Sequence, residues 1–179
     1  TLSNGAKVVV KPTTYKEDEV LISGFAPGGI SVINPKFVAE TKVLGKDFES
    51  IMGESALATG GLGNFSASDL KKVLSGKNVS MKFSVDTYNE EISGKSNVKD
   101  LETAMQLLYL NFTGVRKDDV AYTSFANRTK GILANLGSNP MVAFSDSVIS
   151  TLYQVHPLGR FITAKDIETA NYDTMLKLY

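Results

Sequence analysis

The sequence has no cysteine, no tryptophan and a single histidine, His156, among its 179 residues. The lack of cysteine excludes disulfides, thiolate metal ligands and a cysteine nucleophile, and it leaves the redox compartment open. A catalytic zinc site on a helix needs two imidazoles at helical spacing together with a carboxylate, and one histidine cannot supply them. We therefore predict no catalytic, cofactor-binding or metal-binding residue in this chain.

The chain also lacks an excess of either charge and any long apolar run. Its 19 basic residues balance its 19 acidic ones and are scattered, so no broad field would attract nucleic acid or an anionic membrane. No apolar stretch approaches the roughly 20 residues of a membrane-spanning helix. With 42% hydrophobic residues, the composition is typical of one globular domain over residues 1–179 without membrane insertion.

Four segments have the composition or alternation of β-strands. Residues 6–11 and 19–26 are rich in β-branched and aromatic side chains and predict a hairpin. Residues 79–85 alternate strictly between apolar and polar side chains, which predicts a strand with one buried and one wet face. Residues 89–96 are predicted to return as its partner.

Helices are predicted where a capping residue precedes an apolar period of 3.6 residues. In chain order the predicted helix starts and ranges are Asn34-Pro35, residues 47–59, Ser66 to Gly76, residues 98–113, residues 117–135, Asn139-Pro140, and Thr163 with Asp166. Two apolar stripes are expected to face the core: Leu101, Met105, Leu108 and Phe112 in one helix, and Phe144, Val148, Ile149 and Leu152 in another.

Strands that are segregated from helices, with one apolar strand face, predict an α+β fold in which helices pack on one face of an antiparallel sheet. Because exposed sheet edges are a liability, we expect at least one further strand beyond Tyr179. Both ends of the sequence look cut, and we expect the domain to lack its final strand and helix.

Several local patterns have a catalytic interpretation and a simpler structural one. His156 could serve as the base of a serine hydrolase, but no Gly-x-Ser-x-Gly elbow accompanies it, and local hydrogen bonding in a loop is the favoured interpretation. Residues 93–96 (SGKS) are similar to the end of a phosphate-binding loop, yet Asn89 replaces the first glycine and the segment is predicted as a strand.

Glycine and acidic clusters are open to the same two interpretations. Residues 60–63 (GGLG) are weak evidence for a dinucleotide site without a β-α-β unit, so helix termination and a tight turn are favoured. The adjacent acids of residues 90–91 and 118–119 are expected to be solvated charges, the second pair at a helix start.

Several stretches in a fixed order resemble the pitrilysin/insulinase/processing-peptidase family of inverzincin zinc metallopeptidases. They are LSNGAKVVVKPT at residues 2–13, FAPGG at 25–29, GLGNFSASDL at 61–70, LSGK at 74–77, DLE at 100–102, QLLYLNFT at 106–113, and the loop His156-Pro157 with Arg160. The resemblance covers nearly the whole chain and is to the third, non-catalytic domain of a long bacterial member.

In that family two similar halves enclose a peptide chamber, and one domain carries zinc on an inverted His-x-x-Glu-His motif. The motif would fall on the helix predicted at residues 47–59, which contains Glu49 and Glu54 but no histidine. The resemblance thus implies a domain that encloses the chamber and contacts the other domains and the peptide substrate, while another domain of the parent binds zinc and performs hydrolysis. It also implies the periplasm or cell envelope of a bacterium.

Two alternatives of other classes stay open. The chain could be a non-enzymatic scaffold or peptide-binding domain of an inactive relative, in which case the longer protein would lack His-x-x-Glu-His. It could also be a self-contained hydrolase that uses His156, in which case the isolated chain would turn over peptides or esters. If the domain packs against a following one, an exposed apolar patch is expected on its missing-strand side.

Overall fold

Three antiparallel strands form the sheet in the computed structural model, which describes residues 1–154, 156 and 159–179. They are β1 (Val20–Pro27), β2 (Val79–Val85) and β3 (Asn89–Ser96), in the spatial order β1-β3-β2. Along β2 the apolar positions are half-buried, whereas Ser80 and Lys82 are exposed. The predicted α+β class with an antiparallel sheet is therefore confirmed, and so is the strand pair of residues 79–96.

The predicted first hairpin is wrong. Residues 6–11 belong to no strand, and Val8, Val9 and Val10 are 60%, 90% and 82% exposed. β-branched side chains favour a strand mainly through packing on a half-buried surface. Among the described residues no such surface lies against this segment, so the sheet has three strands there and not four.

The first helices after β1 differ from the prediction. Asn34 caps a 3-10 turn (Pro35–Phe37), as predicted, by accepting a hydrogen bond from the Lys36 amide at 3.0 Å. That turn leads into α1 (Val38–Leu44), and the extended backbone of Gly45 separates α1 from α2 (Lys46–Met52). The helix predicted at 47–59 stops at Gly53, which adopts the left-handed conformation (φ 74°), and resumes as a 3-10 turn (Leu57–Gly60).

The remaining helices agree better with their capping signals. They are α3 (Ala67–Val73), α4 (Leu101–Thr113), α5 (Asp119–Gly137), α6 (Pro140–Leu152), α7 (Ala164–Thr169) and α8 (Tyr172–Leu178). Ser66 and Asn139 accept the predicted capping hydrogen bonds from Asp69 and Met141. The structure has two helices where one final helix was predicted, because Ala170 is extended and Asn171 caps the start of a second helix. None of the described helices has the length and apolar character needed to cross a bilayer.

The main core is built from helices and the turns beside them. Its buried members are Val43, Leu44, Phe48, Ala56, Leu57, Phe125, Leu133, Ile167, Tyr172 and Met175. Helix α5 packs on α7, and α1 packs on α2, α7 and α8. The Phe48 and Phe125 rings meet edge to face at 5.9 Å between centroids, which fixes α2 against α5.

The sheet packs instead against α4. The Phe83 and Phe112 rings meet edge to face at 5.3 Å, so α4 covers the apolar strand face. The predicted stripe on α4 is wrong in part: the buried positions are Ala104 and Leu107, whereas Met105 is 40% exposed and Phe112 63% exposed. The helix is thus rotated relative to the predicted stripe.

The apolar stripe of α6 does not reach the core. Phe144, Val148 and Leu152 are 66%, 42% and 74% exposed, and α6 contains no buried residue. Periodicity correctly predicts an amphipathic helix, but it does not tell whether the apolar side meets a partner within these 179 residues. The predicted core role is therefore wrong for these three residues, whereas Ile149, the fourth member of the stripe, is half-buried.

Candidate functional site

His156 lies in an exposed turn after the end of α6. Its amide donates to the Tyr153 carbonyl at 2.9 Å, and its carbonyl accepts the Gly159 amide at 2.8 Å. Pro157, the next residue of the predicted loop, lies outside the described residues. Among residues that are described, no group of three or more His, Cys, Asp or Glu side chains could hold a metal ion.

The SGKS segment at residues 93–96 forms the second half of β3, between β1 and β2. Gly94 is paired with Ile22 on one side and Met81 on the other, and a Cβ at Gly94 would lie 2.1 Å from the Met81 sulfur. A phosphate-binding loop needs a strand-to-helix turn, whereas this backbone is extended and paired on both sides. The predicted strand is confirmed.

The glycines of residues 60–63 serve close backbone packing. Gly61 has φ 88°, and a Cβ there would lie 2.2 Å from the Phe65 carbonyl oxygen. The Gly63 amide donates to the Gly114 carbonyl at 2.6 Å, and the Gly60 carbonyl accepts from Arg116 at 2.8 Å. The predicted tight turn is confirmed, and it joins the end of α4 to the 3-10 turn.

Several acidic residues that the sequence singles out are engaged in ion pairs or caps, whereas Glu90 is exposed. Glu91 pairs with Lys46 at 2.6 Å, and this hydrogen bond lowers the pKa of the Glu91 carboxyl. Glu49, 9% exposed, lies 3.4 Å from Lys82, and Glu54 pairs with Arg128. These contacts join α2 to the sheet and to α5, which is a structural role.

Asp118 and Asp166 each hold a helix start. Asp118 accepts the Ala121 amide at 3.0 Å. Asp166 accepts two hydrogen bonds from Arg160 at 2.6 and 2.7 Å and two from Thr163, both at 2.8 Å. Burial of the Asp166 carboxyl raises its pKa, but the Arg160 and Thr163 hydrogen bonds outweigh burial and hold the pKa below its ordinary value.

The outward side of α6 is the most unusual surface of the chain. We call it the α6 face and define it by Met141, Phe144, Val148 and Leu152, which are 42–74% exposed. Their spacing of three, four and four residues places them on one side of the helix. Large apolar side chains that share an exposed helix face are typical of an interaction site.

The other outward side chains of α6 do not make this face polar. The Ser147 hydroxyl donates to the Ala143 carbonyl at 2.9 Å, and the Thr151 hydroxyl donates to the Ser147 carbonyl at 2.8 Å. Both hydroxyls are thereby satisfied within the helix. The one ionisable residue of α6, Asp146, accepts the Phe161 amide at 2.7 Å.

A groove of about 580 Å³ adjoins this face. The end of α5, the inner side of α6 and residues 161–164 line it, with Leu133, Met141, Val142, Phe161 and Ile162 among its apolar contributors. The Asp146–Phe161 hydrogen bond holds the two sides of the groove together. The groove therefore has a largely apolar lining, which is typical of a binding surface.

A second exposed apolar surface lies on the edge strand β1. Leu21 and Phe25 project to the same side of the sheet and are 72% and 80% exposed. Their neighbours across the ladder are Lys95 and Glu91. Charged side chains thus interrupt this surface, unlike the α6 face.

The sequence contains the signal for the α6 face, but the prediction assigned the stripe to the core. Apart from Asp146, helix α6 has no charged residue, whereas α5 contains Arg128 and Lys130 among other polar residues. A helix of that composition is expected to be covered on more than one side. The composition thus indicates burial, and the structure shows that the burial is not completed by the described residues.

Comparison with known proteins identifies relatives, although no family profile matches the chain. The chain is 26% identical over 153 residues to the probable zinc protease PqqL of Escherichia coli K12; the match covers 86% of this chain and 16% of that protein. The chain therefore spans about a sixth of the curated relative that it matches.

Solved protease structures share the fold. The periplasmic protease PqqL from E. coli superposes with a TM-score of 0.78 at 21% identity, over 99% of this chain and 18% of that one. A protease from Helicobacter pylori superposes with a TM-score of 0.66 at 16% identity, over 99% of this chain and 41% of that one. The ferredoxin protease FusC, in complex with Arabidopsis ferredoxin, superposes with a TM-score of 0.59 at 15% identity, over 89% of this chain and 17% of that one.

Sequence similarity and the shared fold together bear out the predicted resemblance, and the partial coverage fits one domain of a longer peptidase. This chain is a relative of the pitrilysin-type, inverzincin zinc proteases.

Proposed function

We propose that this chain is a non-catalytic domain of a zinc metalloendopeptidase and that it helps to enclose the peptide-binding chamber, while another domain performs hydrolysis. The observation that supports it is a PqqL-like fold, matching about a sixth of that zinc protease, in a sequence with one histidine and no cysteine. The longer protein would supply the other domains, the zinc ligands and the remaining strand and helix.

The described residues do not fit a catalytic zinc. Helices α1 and α2, the first after β1, contain Glu40, Asp47 and Glu49 but no histidine. Glu40 accepts the Asn171 amide at 3.0 Å, and Glu49 is paired with Lys82, so both carboxylates have structural contacts. No step of hydrolysis is therefore assigned to this chain.

A periplasmic location is part of the proposal, since the matching E. coli structure is described as a periplasmic protease. The absence of cysteine is compatible with an oxidising compartment.

Metal content and turnover of two proteins test the proposal: the 179-residue chain and the full polypeptide encoded by its gene. We expect roughly one zinc per full polypeptide and none in the isolated chain, with peptide hydrolysis only by the former. A full polypeptide without zinc or hydrolysis would favour the scaffold alternative. Turnover by the isolated chain, abolished in His156→Ala, would overturn the proposal in favour of a self-contained hydrolase.

A further inference from the structure

We infer that the α6 face and its groove form the docking surface for an adjoining domain of the same longer polypeptide. The inference rests on the proposed function because it requires that longer polypeptide. It adds the surface through which the domain is held, the apolar character of its partner, and the permanence of the contact.

The chemistry of the face favours a permanent partner. Permanent interfaces resemble a protein core cut in half, whereas transient ones keep polar and charged groups. On the α6 face Phe144, Val148 and Leu152 are accompanied by the Ser147 and Thr151 hydroxyls, which donate to carbonyls of their own helix. Both donors would therefore stay satisfied beneath a partner.

Three features position α6 relative to the rest of the chain. The helix is capped by Asn139, continues from α5 through a short turn, and is tied to Phe161 by Asp146. A helix without buried residues gains little from its inward side. A partner on the outward side would bury the apolar side chains that the described residues leave exposed.

The relatives identify the occupant as part of the same polypeptide. The fold occupies 18% of the PqqL chain and 41% of the H. pylori chain, so in both proteins the equivalent domain is accompanied by more chain. A domain on the same chain is present at high effective concentration and needs no charged residues to select it. The competing occupants are a second copy of this chain and the final strand and helix that this domain is proposed to lack.

The absence of cysteine makes the surface directly testable. Phe144→Cys and Leu152→Cys each introduce a single thiol on the α6 face, and Lys72→Cys introduces one on α3, where the lysine side chain is 77% exposed. Each variant is prepared in the 179-residue chain and in the full polypeptide. Maleimide labelling rates are read by mass spectrometry of the peptide that carries the new thiol.

We expect Cys-substituted positions 144 and 152 to label at the Lys72→Cys rate in the isolated chain and at least ~10-fold more slowly in the full polypeptide. Equal rates in both proteins would overturn the inference. Slow labelling in the isolated chain, together with a dimer in sedimentation, would overturn it in favour of a second copy. Slow labelling in a chain extended only by the final strand and helix of this domain would overturn it in favour of those elements. These outcomes are independent of zinc content, so failure here is distinguishable from failure of the proposed function.

A charged variant gives a second measurement that does not depend on labelling. Phe144→Glu is expected to leave thermal unfolding of the isolated chain unchanged, because position 144 is solvent-exposed there. In the full polypeptide it is expected to lower the Tm of this domain by roughly 2–4 °C. The same Tm change in both proteins would contradict a covered α6 face.

Discussion

Helices α5 and α6 are joined by a two-residue turn, yet they have opposite relations to the rest of the chain. Helix α5 buries Phe125, Thr129 and Leu133 at successive spacings of four residues, whereas α6 buries none of its residues. Both begin at a side chain that accepts a capping hydrogen bond, Asp118 and Asn139. Local signals therefore set where each helix forms, and the available partner decides which side is covered.

The largest expected contrast is between a phenylalanine on each helix. Phe125→Ala removes a ring that is 4% exposed and contacts Phe48, so we expect a loss of about 3–5 kcal/mol in the free energy of unfolding. Phe144→Ala should change it by less than ~0.5 kcal/mol in the 179-residue chain. Urea denaturation of both variants measures the contrast, and equal losses would show that α6 is covered in isolation.

A smaller contrast is expected between two carboxylates. Asp166→Asn loses the bidentate contact of a 4% exposed group with Arg160, at a cost of about 2–3 kcal/mol. Asp146→Asn keeps an oxygen that can accept the Phe161 amide and should cost about 1 kcal/mol or less. Urea midpoints of the two variants at neutral pH measure the difference. Similar losses would contradict it.

The Asp166 pair also has a pH signature with a definite sign. Because the folded-state pKa of Asp166 lies below the unfolded value of about 3.8, its contribution is present above that pH and is lost as pH falls further through the folded pKa. Wild-type protein should therefore lose stability below about pH 4 more steeply than Asp166→Asn. Parallel acid profiles would exclude this contribution.

Stability at alkaline pH tests the half-buried Tyr122 on α5. Burial, with Tyr172 and Glu40 nearby, raises the pKa of Tyr122 to about 12 from 10.0. The contribution of the neutral Tyr122 hydroxyl to the free energy of unfolding is thus complete below pH 10 and is lost as pH rises through about 12. Tyr122→Phe should flatten this loss in part, since burial also raises the pKa of Tyr179 to about 12. Tyr153→Phe, at the end of α6, is the control, and an equal effect of both variants would contradict the assignment.

The smallest expected effect is a gain. Thr129 is fully buried, and its hydroxyl has no hydrogen-bond partner among the described residues. Thr129→Val replaces that hydroxyl with a methyl group of similar size, so we expect about 0.5–1 kcal/mol of added stability. Thr151→Val on α6 should be close to neutral. A loss for Thr129→Val would indicate that the hydroxyl is bonded.

The sequence predicted elements that depend on neighbours in the chain better than those that depend on distant ones. The alternation of residues 79–85 and the caps at Ser66, Asn139 and Thr163 led to correct elements because each signal is local. The strand at 6–11 failed although its predicted partner, residues 19–26, is nearby in the chain, because β-branched composition does not show whether a half-buried surface is available to the segment. The α6 stripe was assigned to the core because periodicity does not identify what covers an apolar side.

The candidate surface could be predicted only in part for the same reason. Composition alone led to the prediction that this chain has no catalytic zinc site, since it offers one histidine and no cysteine. The resemblance supplied the peptidase context. Exposure of Phe144 and Leu152, which turns an amphipathic helix into a docking surface, required the structure.

The division between a helical core and a sheet that packs on α4 has a consequence for how the molecule comes apart. Apart from the backbone bridge between Gly45 and Val85, the contacts of α2 with the strands include the ion pairs Lys46–Glu91 and Lys82–Glu49. Such partly exposed pairs weaken as ionic strength rises, whereas the two apolar centres do not. Concentrated salt should therefore weaken the contacts between α2 and the sheet before the helical core or the sheet with α4 unfolds. Amide hydrogen exchange at high salt should then stay slow within the helical core and within the sheet with α4.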